Sequence, residues 1–176
     1  MRAIVTRAVI AASVALCANV VVPDLTFAAS NCNLQRNLVG ADLAGCDLTR
    51  ADLAYANLQG ANLTGARLFG ADLTEANLEQ ANLRGANLEG AKLTVANLSI
   101  ANLTEAKLWR ANLDGANLTD ANLTGAKLIG ANLSRANLTD ADFTDANLTD
   151  ALRRPGISRA DMEGADGLDT VTGLVD

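Results

Sequence analysis

From Leu38 to Leu148 the chain sets the same kind of residue at every fifth position, over 23 consecutive sites; Phe143 is the one that is not Leu. Two residues before each site stands Ala in 21 of the 23 cases, Arg36 and Cys46 being the departures. One residue before stands Asn or Asp in 19 of 23. Thr often follows the central residue and Gly often follows Thr, so the unit reads Ala-(Asn/Asp)-Leu-Thr-Gly. A period of five suits neither regular element. On an α-helix five residues advance about 500°, so successive Leu would wander over the whole surface. On a straight strand an odd step sends alternate Leu to opposite faces. Both arrangements leave Leu in water. The pattern is satisfied if the chain turns a corner about every five residues, with each Leu directed at a common axis. Successive coils then stack at the strand spacing of about 4.8 Å and pair their backbone groups with one another.

The run Ala41–Asp150 resembles the pentapeptide-repeat family. The resemblance implies an all-β fold, a right-handed quadrilateral β-helix with four units to a coil. Twenty-three units would then make just under six coils, a rod roughly 28 Å long at the strand spacing. It also implies that Leu38, Leu43, Leu48, Leu88, Leu128, Phe143 and their equivalents fill the core, and that the series Ala41 to Ala146 is an inward position for small side chains. A composition 49% apolar but only 3% aromatic fits such an interior, filled by Leu and lined by Ala. Gly at the fifth position suits turns with unusual backbone angles.

The two ends depart from the repeat. Arg2 and Arg7 precede an apolar run from Ala8 to Val22, Pro23 breaks it, and Thr26-Phe27-Ala28 offers small residues for a cut after Ala28. Residues 1–28 therefore read as a secretory signal peptide. An uncleaved anchor is the alternative, although the run is short of the roughly 20 apolar residues a membrane span needs. Cys17 follows Leu16, a poor fit to a lipid-attachment site. Cleavage removes Arg2, Arg7 and Asp24 and leaves a chain of net charge −7. Cys32 and Cys46 are then the remaining cysteines, and in an oxidising compartment they are expected either to form a disulfide that pins the first coil or to stay buried as free thiols in Ala-like places. Residues 29–150 form the expected β-helix. At the other end Arg153-Arg154-Pro155-Gly156 interrupts the pattern, so residues 151–176 read as an irregular or helical cap over an edge that a solenoid must cover.

No His is present, which removes His-based acid/base chemistry, His-activated nucleophiles and His metal sites. The glycines follow the repeat and form no phosphate loop, and a filled rod offers no concave cleft. The expectation is a protein that is not an enzyme, with no catalytic residues, no cofactor and no metal. Net charge −6 argues against binding nucleic acid. Once the leader is cut, no stable membrane insertion is expected, and nothing in the pattern sets an oligomeric state.

Surface positions carry the remaining clues. Four residues break the Asn/Asp column: Arg67, Lys92, Lys107 and Lys127. Arg67, Lys107 and Lys127 are spaced by multiples of twenty and would share one side of a four-unit coil. Two residues further on stand Phe69, Trp109 and Ile129, bulky exceptions in a Thr-rich column. This basic and aromatic stripe is a candidate face for an unidentified protein partner; the plainer reading is a ladder of stacked side chains. Asp114, Asp120, Asp140, Asp142, Asp145 and Asp150 crowd the other end. They read as a solvated surface, or more sharply as mimicry of DNA, because some members of the family resemble a rod of B-DNA and occupy the DNA channel of a topoisomerase. The expected function is a structural or protein-interaction module exported to a periplasm or thylakoid lumen, with a DNA-mimicking inhibitor as the alternative.

Overall fold

The computed structural model describes residues 37–151. The expected leader, Cys32 and the expected cap beyond Ala151 lie outside the described residues.

A single unit accounts for all five of its backbone N–H groups. In the unit 86–90, Ala86 donates to Leu83 O across the corner (2.9 Å), and Asn87 donates back to Ala66 O of the preceding coil (2.9 Å). Leu88 and Gly90 donate forward to Lys107 O (2.8 Å) and Trp109 O (2.9 Å) of the following coil. The fifth group, Glu89 N–H, is taken by the unit's own side chain, Asn87 Oδ1, at 3.1 Å. The same side-chain bond recurs at the Asx positions from Asp42 to Asn147, for example Thr104 N to Asn102 Oδ1 at 3.1 Å. The Asn/Asp column is thus a set of Asx turns that supply the acceptor no neighbouring coil provides. Thr after Leu adds a second bond, as where Thr104 Oγ1 donates to Asn102 Oδ1 at 2.6 Å.

Each parallel bridge joins residue i to residue i+20, from Asn37↔Asn57 to Lys127↔Asn147. Four units therefore close one coil, and the rod is four-sided over the described residues. The expected β-structure takes the form of isolated bridges rather than extended strands, because each side has room for one bridging residue before the next corner. At every corner the third turn residue has positive φ, as type II turns require. Gly occupies ten of these places, and thirteen others, Val95 (φ 57°) and Ile100 (φ 59°) among them, hold a side chain in the left-handed region. That conformation costs a β-branched residue about 1–2 kcal/mol, and closure of the coil imposes it regardless.

The core is a single column. Leu38, Leu43, Leu48, Leu88, Leu128 and Phe143 are buried with the rest of the central series, each Leu contributing roughly 1.5–3 kcal/mol of transfer free energy. The Ala series is buried beside it, except that Ala136 is only partly covered. Cys46 takes an Ala place, is buried, and is disulfide-bonded. Its partner falls outside the described residues, where Cys32 also lies. Asn ladders run along the outside, Asn97 Nδ2 donating to Asn77 Oδ1 (3.3 Å) and Asn117 Nδ2 to Asn97 Oδ1 (3.2 Å).

The Asx bonds make a direct prediction. Asn102→Ala strands the Thr104 N–H, while the Thr104 hydroxyl keeps Asn122 Oδ1 at 3.3 Å, and is expected to lower unfolding free energy by about 1 kcal/mol in urea denaturation. Asn102→Asp keeps the acceptor and is expected to retain most of that stability.

Candidate interaction face

The side of the rod built on Leu48, Leu68, Leu88, Leu108, Leu128 and Leu148 carries the residues singled out from the sequence. Bridges in register stack Asp47, Arg67, Asn87, Lys107, Lys127 and Asn147 along it. Phe69, Trp109 and Ile129 follow in the next column, so the fold brings Arg67, Phe69, Lys107, Trp109, Lys127 and Ile129 to one side. Asn87 and Glu89 split the stripe into the Arg67–Phe69 coil and two adjacent coils bearing Lys107–Trp109 and Lys127–Ile129.

The local bonding changes where a basic residue enters the Asx column. Where Arg67, Lys107 or Lys127 replaces Asn, the Asx acceptor is gone, and a Thr hydroxyl two residues on would lose its partner as well. Phe69, Trp109 and Ile129 have no hydroxyl to lose. On another side Thr94 follows Lys92, and its hydroxyl accepts from Asn112 Nδ2 at 3.0 Å.

The charges on this side are unequally balanced. Arg67 lies 3.6 Å from Asp47, both well exposed. The Asp47 carboxyl is held below the usual range by its hydrogen bonds from Thr49 and, less strongly, by the Arg67 guanidinium. Lys107 and Lys127 are exposed, and among the described residues neither has an acidic partner within 4.0 Å. Tyr55 and Phe69 are exposed, Tyr55 at a corner of a different side. Trp109 and Ile129 are half-buried. The Trp109 indole Nε1 is shut off from solvent and has no hydrogen-bond partner. Sequence reading also passed over Arg110, an exposed corner residue next to Trp109. Its Cγ passes 3.7 Å from where a Cβ on Gly130 would sit, so it extends over a bare corner of the following coil.

The acidic group named from the sequence does not form one field. Asp120 and Asp140 share one corner, while Asp145 and Asp150 lie on two others. Asp114 is gripped by Arg135 through Nε–Oδ1 at 2.9 Å and through Nη2–Oδ2, which holds its carboxyl below the usual range. Asp142 accepts from Thr144 N (2.8 Å), Thr144 Oγ1 (2.6 Å) and Thr124 Oγ1 (3.1 Å). Those bonds, the Thr144 hydroxyl first, lower its pKa. A lowered carboxyl pKa adds stability that is present above the unfolded value of about 3.9 and is lost as pH falls through the folded value. Asp142→Asn is expected to keep the Asx turn and to lose less stability than the parent chain between neutral pH and pH about 3, as read by denaturant midpoints.

Asp42 accepts from Asn62 Nδ2 at 2.9 Å. Among the described residues no cluster of His, Cys, Asp and Glu is placed to hold a metal ion, and no helix is long and apolar enough to cross a membrane.

Comparison with known proteins places this geometry. The family profile for pentapeptide repeats, eight copies long, matches residues 29–70, 61–99, 96–135 and 116–152. Among solved structures, a trypsin-treated variant of QnrB1, a plasmid-mediated fluoroquinolone resistance protein, aligns at TM-score 0.56 and 24% identity, covering 78% of this chain and 77% of its own. The pentapeptide repeat protein Rfr23 from the cyanobacterium Cyanothece 51142 is 30% identical over 80% of this chain and 93% of its own, at TM-score 0.34. A pentapeptide repeat protein of the Arabidopsis thaliana thylakoid lumen is 37% identical over 78% and 82%, at TM-score 0.26. No curated protein matches.

Proposed function

The chain belongs to the pentapeptide-repeat family and folds as a right-handed quadrilateral β-helix, and on that premise we propose that it is an exported, non-enzymatic protein-interaction module. The observation that carries the reading is the concentration of departures from the repeat on one side. There Lys107 and Lys127, without an acidic partner among the described residues, stand beside Trp109 and Ile129. A rod built only for support needs no such side, and aromatic residues with cations are the common anchors of protein interfaces. The layout of residues 1–28 supports export to a periplasm or a thylakoid lumen. An oxidising compartment agrees with the disulfide at Cys46, which we pair with Cys32.

Mimicry of DNA is the weaker reading, because it needs a long, regular acidic surface. Here the acidic residues are divided among corners, Asp114 is neutralised by Arg135, and a basic side interrupts them.

Two measurements test the proposal. Intact mass of the protein purified from its native host should match a chain that begins at Ala29 and lacks two thiol hydrogens. The full mass, or two free thiols, would remove the export argument or the bridge. Trp109→Ala combined with Phe69→Ala should then change the set of proteins captured from the exported fraction, with the melting curve showing an intact rod. An unchanged set counts against this side as the docking face.

A further inference from the structure

The chemistry of the partner can be read from the same side, on the premise that it is a docking face. Lys107 and Lys127 are bridged neighbours, so two like charges stand one coil apart, about 4.8 Å along the rod. Like charges directly opposite one another on a ladder are destabilising, and no carboxylate among the described residues comes within 4.0 Å of either. Arg110 adds a third cation at the adjoining corner. It is exposed and has no acidic partner within 4.0 Å among the described residues, with side-chain-free Gly90 and Gly130 on either side of it in its column. Between these cations lie half-buried Trp109 and Ile129, and the Trp109 Nε1–H lacks an acceptor.

We propose that Lys107, Trp109, Arg110, Lys127 and Ile129 form the docking site of an acidic protein segment. Its carboxylates meet the three cations, and an apolar side chain packs on Trp109 and Ile129. The extent of the patch decides between kinds of anion. Glu89 in the preceding coil and Asp150 beyond Gly130 bound it along the rod, and the whole chain carries net charge −6. Electrostatic reach at physiological salt is about 8 Å, so a short segment seated on Trp109 and Ile129 responds most strongly to the three cations nearest it. A nucleic-acid duplex or an anionic lipid surface extends past them and meets a negative rod.

The test is fluorescence anisotropy with a short labelled peptide of Glu and Leu, alongside versions carrying Gln or Lys in place of Glu. The purified chain is expected to bind the Glu peptide at least about tenfold more tightly than the Gln peptide and to release it as salt rises. Lys107→Gln with Lys127→Gln should weaken binding by about tenfold. Lys92→Gln, a cation on another side that is paired with Asp72, should not. Equal binding of the Glu and Gln peptides, or an unaffected Lys107/Lys127 double variant, would overturn the proposal. So would displacement of the peptide by duplex DNA or by phosphatidylglycerol vesicles. If Trp109→Ala with Phe69→Ala changes the captured proteins but acidic peptides are not preferred, the acidic assignment fails and the docking face stands. If the captured set does not change, both fail.

Discussion

Leu88→Ala is expected to cost about 2–5 kcal/mol of stability. Leu88 is fully buried in the central column, with Leu68 and Leu108 in the coils on either side. The cavity left by its side chain cannot collapse readily. Hydrogen bonds from Leu68 N to Asn87 O (2.7 Å) and from Leu88 N to Lys107 O (2.8 Å) fix the coil spacing above and below. In a solenoid each coil is stabilised through its two neighbours, so a void in a middle coil weakens two interfaces at once. Urea or thermal unfolding reads the effect directly, and an unchanged midpoint would contradict the inward assignment of the column.

Ala86→Leu is the opposite insult, and its expected cost is at least the roughly 1–3 kcal/mol of ordinary overpacking. Ala86 is fully buried. Its backbone is held on both sides, its N–H by Leu83 O and its carbonyl by Lys107 N, each at 2.9 Å. Three added carbons must therefore push a coil apart or break one of these bonds. Ala136 provides the control: it occupies the same place in the unit but is only partly covered. Ala136→Leu is expected to cost clearly less in the same melting experiment, and equal losses would show that helix closure, not packing, sets the requirement for Ala.

Much of this architecture was legible because one column does one job. A Leu every fifth residue has a single solution that keeps it dry, and the Leu38–Leu148 series is buried as that argument requires. The spacing of Arg67, Lys107 and Lys127 likewise anticipated a shared side, because twenty residues close a coil. The role of Asn/Asp was harder to see. The column is exposed or half-exposed, so burial gives no hint of it; its purpose appears only when each backbone N–H is traced and the one after Leu is found bonded to Asx Oδ1. The half-burial of Trp109 was not legible either, since it depends on how a large ring settles over a flat side. Arg110 was hidden because it sits in the Gly column, where positive φ rather than side-chain chemistry governs most positions.

The central claim, that one side of the rod docks a partner and the other three do not, is tested most directly by placing a photo-crosslinking residue on each side in turn. Suitable positions are Ile129 on the basic side and Thr119, Thr124 and Thr94 on the others, with crosslinking carried out in the native host. The account predicts a discrete adduct from position 129 that disappears when Lys107 and Lys127 are changed to Gln, and none from the other three. Adducts of equal yield from all four sides, or from position 119, 124 or 94 and not from 129, would contradict it.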